Sequence, residues 1–332
     1  MSRRTWFLLI AAACVIAAFF AWNKWPRPTP IKQITIAQSG DFFLYAPLYV
    51  ATDAGFFREQ GLEVNIVSTG GDEKTWAAVL SGSAQFGIGD PTFVAISEHR
   101  GQPGRIIASI VNGVPFWGIT FNQKMATIKD PKDLKGHVVG TFPAPSTAYT
   151  LQKKMFLDAG LQPDIREGAF GTIFAMLRTG QVDIGLELEP NVSQALSENA
   201  KIVYSMKDVY GPFAITGLSA TPAALKSDPN LAKHVTCGLQ MSLDYIRLHP
   251  DRALEILNRR FPEVKPEIAK AALSRVSEEG IIPVDLGVKE DAWQKAISIR
   301  KIVGDLENPL PMTSYVDDSF ADWASSNCRI TK

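Results

Sequence analysis

A chain of 332 residues can build one large domain or two compact ones, and 46% hydrophobic content is that of a globular protein rather than a disordered one. Lys and Arg number 34, as do Asp and Glu, so no net field draws a polyanion. No basic face with interleaved aromatics is visible, and nucleic-acid binding is excluded as an expectation.

The N-terminus reads as separate from the fold. Ser2-Arg3-Arg4 precedes 18 uncharged residues, Thr5 to Trp22, at the lower edge of a membrane-spanning length. A Pro-rich tether, Asn23 to Pro30, comes after it. Positive charge ahead of the span predicts export of the chain beyond Trp22. Retention as an anchor is the favoured expectation. Cleavage after a small residue and lipidation at Cys14 are the alternatives. The remaining cysteines, Cys237 and Cys328, stand equally open to pairing in an oxidising space or to burial as free thiols. No CxxC occurs and the four histidines are scattered, so no metal or cofactor is expected.

From Lys32 strands and helices alternate. Strand Ile34–Ala37 leads into Ser39-Gly40-Asp41-Phe42-Phe43-Leu44-Tyr45 and then a helix, Ala46–Ala54. A loop with three aromatics needs a partner, either the core or the wall of a pocket. Strand Glu63–Ser68, a Gly70-Gly71 break and helix Asp72–Leu80 with Asp72 as its cap come next. Strand Phe86–Gly89 ends at Asp90-Pro91, with Pro91 opening a helix, and Arg105–Asn112 is a further strand. This βαβ rhythm predicts an α/β protein with mainly parallel sheets. A second unit begins near Gly118, with strand His137–Thr141, helix Ser146–Ala159, helix Phe170–Arg178 and strand Val182–Leu186.

The two units echo each other. LSGSAQFGIG (80–89) and RTGQVDIGLE (178–187) place Gly82 and Gly87 against Gly180 and Gly185. After strand-like FAITGLSA (213–220) the chain turns helical, over Asp228–Leu248, Pro250–Arg260, Pro266–Glu278 and Lys289–Val303. A tail that returns to the first unit implies two crossings, near Phe116–Thr120 and Pro212–Thr216, which together form a hinge.

Ligands of open α/β sheets sit beyond the carboxyl ends of the strands. The residues there are Ser39, Phe42, Tyr45, Thr69, Asp90, Asn112, Trp117, Ser146, Thr147, Glu187 and Glu189. Thr69 also suits a plain turn, and Ser146 and Thr147 suit a helix cap. Glu187 and Glu189 either face solvent or hold a ligand's N–H or cationic group, since a buried carboxylate without a donor is costly. No GxSxG, P-loop or GxGxxG is present, so a catalytic role is the weaker expectation.

The run YAPLYVATDAGFFREQGLEVNIVSTGGDEKTWAAVLSGSAQFGIGD resembles the N-terminal signature of the ABC-transporter substrate-binding proteins of the nitrate/sulfonate/taurine and thiamine-pyrimidine group. Ala51, Gly55, Phe56, Phe57, Glu59, Gly61, Leu62, Val64, Gly70, Gly71, Leu80, Gly82 and Gly87 carry it. The resemblance extends over about residues 33–260. It implies a two-lobed periplasmic-binding-protein type II fold with a two-crossing hinge and a helical C-terminal tail. The lobes would be 32–117 completed by 214–332, and 118–213, after an N-terminal segment 1–31. It also implies a monomer that closes on a small molecule and delivers it to an ABC permease, with those eleven residues as pocket positions.

The collected loops carry no Arg or Lys, whereas Asp41, Asp72, Asp90, Glu187 and Glu189 are acidic. That favours a flat, hydrogen-bond-donating heterocycle such as an aminopyrimidine over sulfonate, taurine or nitrate. A pyrimidine-synthesis enzyme of the same fold, which carries a cysteine-rich iron motif absent here, and a membrane-tethered sensor are the readings of other classes.

Overall fold

The computed structural model describes residues 31–331. The anchor, cleavage and Cys14 lipidation expectations lie outside them. Among the described residues no helix is long and apolar enough to cross a membrane.

The first half alternates β1 (Lys32–Gln38), α1 (Ala46–Asp53), α2 (Phe56–Glu59), β2 (Leu62–Ser68), α3 (Asp72–Leu80), β3 (Phe86–Gly89), α4 (Thr92–Glu98) and β4 (Arg105–Asn112). Then come β5 (Trp117–Thr120), β6 (Val139–Thr141), α5 (Thr147–Asp158), β7 (Ile165–Glu167), α6 (Ile173–Arg178), β8 (Ile184–Glu187), α7 (Asn191–Ser197) and β9 (Lys201–Ser205). Helix α8 (Met206–Tyr210) leads to β10 (Ala214–Ala220). The tail is helical: α9 (Pro222–Ser227), α10 (Pro229–Leu248), α11 (Pro250–Arg260), α12 (Pro266–Glu278), α13 (Glu290–Ile302) and α14 (Ser319–Asn327).

Two five-stranded sheets result, ordered β2-β1-β3-β10-β4 and β7-β6-β8-β5-β9. They are the same design twice. In each, one strand runs antiparallel to both its neighbours: β10 beside β3 and β4, β5 beside β8 and β9. Pairs β1–β3, β6–β7 and β6–β8 are parallel. The sheets are therefore mixed. Each reversed strand is the first after the chain has changed sheets, and strand β9, which local pattern does not announce, completes the match.

The Gly echo has a packing cause. Gly87 and Gly185 occupy the central strands β3 and β8, where a helix lies directly on the backbone. A Cβ at Gly87 would sit 2.9 Å from Val79, and one at Gly185 3.2 Å from Ile173. Only a bare backbone lets the helix approach that closely.

In the tail, apolar residues recur at helical spacing and are buried, as with Trp293, Ala296 and Ile297 of α13. Helix α13 packs on α5 and also on α4 and β10, so it touches elements of both sheets. Cys237 of α10 and Cys328, just past α14, form a disulfide with a Cα–Cα distance of 5.3 Å, which closes the question that spacing left open.

Candidate functional site

The strand-to-helix loops of both sheets converge on one cleft. Its inner chamber encloses about 40 Å³ and is lined by Ser39, Phe42, Leu44, Tyr45 and Asp72 from one side. Phe142, Ser146, Thr147, Ala148, Phe170 and Leu188 line it from the other, and Pro115, Phe116, Ile215 and Thr216 come from the crossings. A second chamber of about 310 Å³ shares Phe42, Phe142, Phe170 and Leu188 with the first. Gly40, Asp41, Glu187, Glu189, Asn191, Phe261 and Glu263 are among its other walls. Phe42 and Phe170 meet edge to face at 5.0 Å between the chambers, and Phe170 packs on Phe142 at 4.6 Å.

The three aromatics of the first loop divide. Phe43 is wholly buried and packs on Phe261 at 4.9 Å, so it is core. Phe42 and Tyr45 face the chamber. Burial holds the Tyr45 hydroxyl well above its usual range, so it stays protonated.

Of the eleven expected positions, Ser39, Phe42, Tyr45, Ser146 and Thr147 line the inner chamber, and Phe42, Glu187 and Glu189 line the outer one. Ser146 also caps α5, accepting from Tyr149 N. The structure places the other four elsewhere. Thr69 spends its hydroxyl on Gly71 O and Thr75 of its own turn and on Gln38 O at the end of β1. Asn112 accepts from Ser109 and lines a separate cavity with Gly113, Gly211 and Pro212. Trp117 is buried under Arg275, at 5.8 Å from its ring. Asp90 lies behind the chamber, bound to protein groups.

The expectation of uncompensated carboxylates also needs correction. Arg300 of α13, only 2% exposed, donates to Asp90 at 2.7 Å. Arg275 of α12 pairs with Glu189 at 2.7 Å, and Ser193 satisfies both oxygens of that carboxylate. Two of the five acidic groups are thus neutralised by the helical tail. A buried charge demands such a partner, and these partners come from 210 and 86 residues away. A signal for Arg300 existed: it continues the stripe Trp293, Ala296, Ile297, where a charge signals a buried acid to meet.

Asp72 does not cap α3 by its side chain, because Gly71 is the cap. Its carboxyl instead accepts from Ser39 and from Asp90 N at 3.0 Å. Burial, and the Asp90 charge behind it, push it up to about 6. Glu187 accepts from Phe174 N, Leu188 N and Asn191. Burial outweighs these donors and lifts it to about 7. Neither chamber has Lys or Arg among its lining residues. Among the described residues no group of three or more His, Cys, Asp or Glu assembles a metal site.

Two matched mixed sheets with a cleft between them define the periplasmic-binding-protein fold. A solved structure of the ligand-binding component of an ABC-type import system from Staphylococcus aureus, with zinc bound, superposes with a TM-score of 0.72 at 15% identity, covering 88% of this chain and 99% of the other. The alkanesulfonate-binding protein SsuA from Xanthomonas axonopodis pv. citri, bound to MOPS, gives 0.68 at 15% identity, with 88% and 99% covered. The NMT1/THI5-like family model matches residues 43–253, and the chain belongs to that family. Two relatives are each 22% identical. One is the "Putative binding protein YtlA" of Bacillus subtilis (strain 168), over 96% of this chain and 98% of the relative. The other is the 4-amino-5-hydroxymethyl-2-methylpyrimidine phosphate synthase of Aspergillus parasiticus, over 79% and 80%.

Proposed function

We propose that this chain is the extracytoplasmic solute-binding protein of an ABC importer and that it closes on a flat solute rich in N–H donors, with an aminopyrimidine as the nearest chemical class. The observation that carries the ligand class is the wall itself: aromatic rings, hydroxyls and two carboxyl groups of raised proton affinity, with no cation. Phe42, Phe142 and Phe170 supply faces and edges for an aromatic solute, and Asp72, Glu187, Ser39 and Thr216 supply acceptors. An anion would find no cation among the lining residues and would be repelled by Asp72 and Glu187 in their ionised forms.

The lobes in this reading are 32–117 with 214–332, and 118–213, joined through the crossings ahead of β5 and β10. Delivery is to a membrane permease, with residues 5–22 as the tether. The second reading is a small-anion binder, favoured by the likeness to SsuA. Calorimetric titration of the full chain with an aminopyrimidine, taurine, an alkanesulfonate and nitrate separates the two. Micromolar or tighter pyrimidine capture, weakened at least tenfold in Asp72→Asn, supports the proposal. Tight anion capture with no pyrimidine uptake overturns it.

A further inference from the structure

Arg300 makes more contacts across the cleft than its ion pair with Asp90 requires. Its Nε donates to Thr92 at 3.0 Å and its Nη2 to Asp90 at 2.7 Å, both on the side of the first sheet. Its Nη1 donates to Pro145 O at 2.9 Å and to Thr150 at 2.7 Å, on the loop and helix after β6 in the second. Asp305 takes a further bond at 2.8 Å, and the guanidinium lies 5.2 Å from the Phe93 ring. Thr147 completes the crossing by donating to Asp90. Thr147 is also one of the residues that line the inner chamber.

We infer that Arg300 is a positioning residue that clasps the two halves of the molecule, holding the cleft closed and setting the affinity of the chamber without touching the solute. The inner chamber as it stands, about 40 Å³, is far below the roughly 300 Å³ of ordinary small-molecule sites. Entry of a solute into this inner chamber, beyond the outer one of about 310 Å³, therefore needs the halves to separate, and the groups that bridge them bias that equilibrium. A planar fork reaches acceptors on both halves at once, which a point-charged lysine cannot do. Weakening the clasp lowers the fraction of closed molecules and raises the apparent dissociation constant in proportion. The affinity part of this inference rests on the solute-binding reading proposed for the cleft, whereas the closure part does not.

The test uses the full chain with Cys14→Ser and spin labels at Lys74→Cys and Arg166→Cys, exposed positions on either side of the cleft. Electron-electron double resonance gives the distance distribution without added solute. Arg300→Lys is expected to broaden it toward longer distances. Arg300→Met with Asp90→Asn, which leaves no unpaired buried charge, should do so more fully while remaining folded by circular dichroism. If an aminopyrimidine binds the parent, both variants should bind it about tenfold more weakly through loss of the closed fraction. An unchanged distribution in the folded double variant overturns the clasp, whatever solute is bound. A shifted distribution with no uptake of any solute keeps the clasp and sinks the ligand reading instead.

Discussion

Glu187 is fully buried at the end of β8 and has no ion pair among the described residues. Its carboxyl titrates near 7 in the fold, against 4.5 for an ordinary glutamate, because burial disfavours the charge. Folding therefore takes up a proton between those values. The stabilisation is complete below about 4.5 and is lost as pH rises through about 7. Asp72, lifted to about 6, acts in the same sense. Urea unfolding of the parent should accordingly show higher stability at pH 5 than at pH 8. Glu187→Gln should remove about 1–3 kcal/mol of that decline. A parent curve that rises over this interval, or a variant with the same slope, contradicts the assignment. Residue types at strand ends were readable from sequence here. Which of them kept a bare charge was not, because Arg275 and Arg300 arrive from the tail.

Among the elements, local pattern was an adequate guide where the chain needed only itself. Phe86–Gly89, Arg105–Asn112, Pro250–Arg260 and Pro266–Glu278 form the spans their spacing predicts, and the paired glycines mark the two central strands. The short strands β5 and β9 gave weaker signals, since each is defined by its partners in the sheet more than by its own alternation. The disulfide is likewise a property of packing. Helices α10 and α14 must first lie side by side before Cys237 and Cys328, 91 positions apart, can meet. Replacing both by Ser should lower the unfolding free energy by about 2–4 kcal/mol, the usual range for a native disulfide. Denaturant titration of the variant and of reduced parent protein should then give coincident curves. An unshifted midpoint in both would show that the bond adds nothing to the packed helices.

At the scale of the whole molecule, the Phe42–Phe170 contact at 5.0 Å joins a loop of the first sheet to one of the second. Both rings line both chambers, so on the proposed solute-binding reading the contact stands between a solute in the inner chamber and the outer one. Removing one ring of such a pair costs about 0.5–1.5 kcal/mol beyond lost area. On the proposed aminopyrimidine reading, Phe170→Ala should speed release of that solute roughly three- to tenfold, with little change in association rate. Stopped-flow fluorescence measures both rates. A change confined to association would place Phe170 on the entry path rather than at the closed gate.

What the sequence by itself determined was the rhythm of strands and helices, the duplication of one sheet design and the class of protein. The rhythm and the duplication arise from periodicities and glycine positions that act over a few residues, whereas the class came from the resemblance of a longer run to a known family. The tertiary structure alone decided which charges cancel, which aromatic of three is core, and how small the chamber is. Those outcomes depend on groups that chain topology brings together from dozens to hundreds of positions apart, and no local pattern encodes that distance.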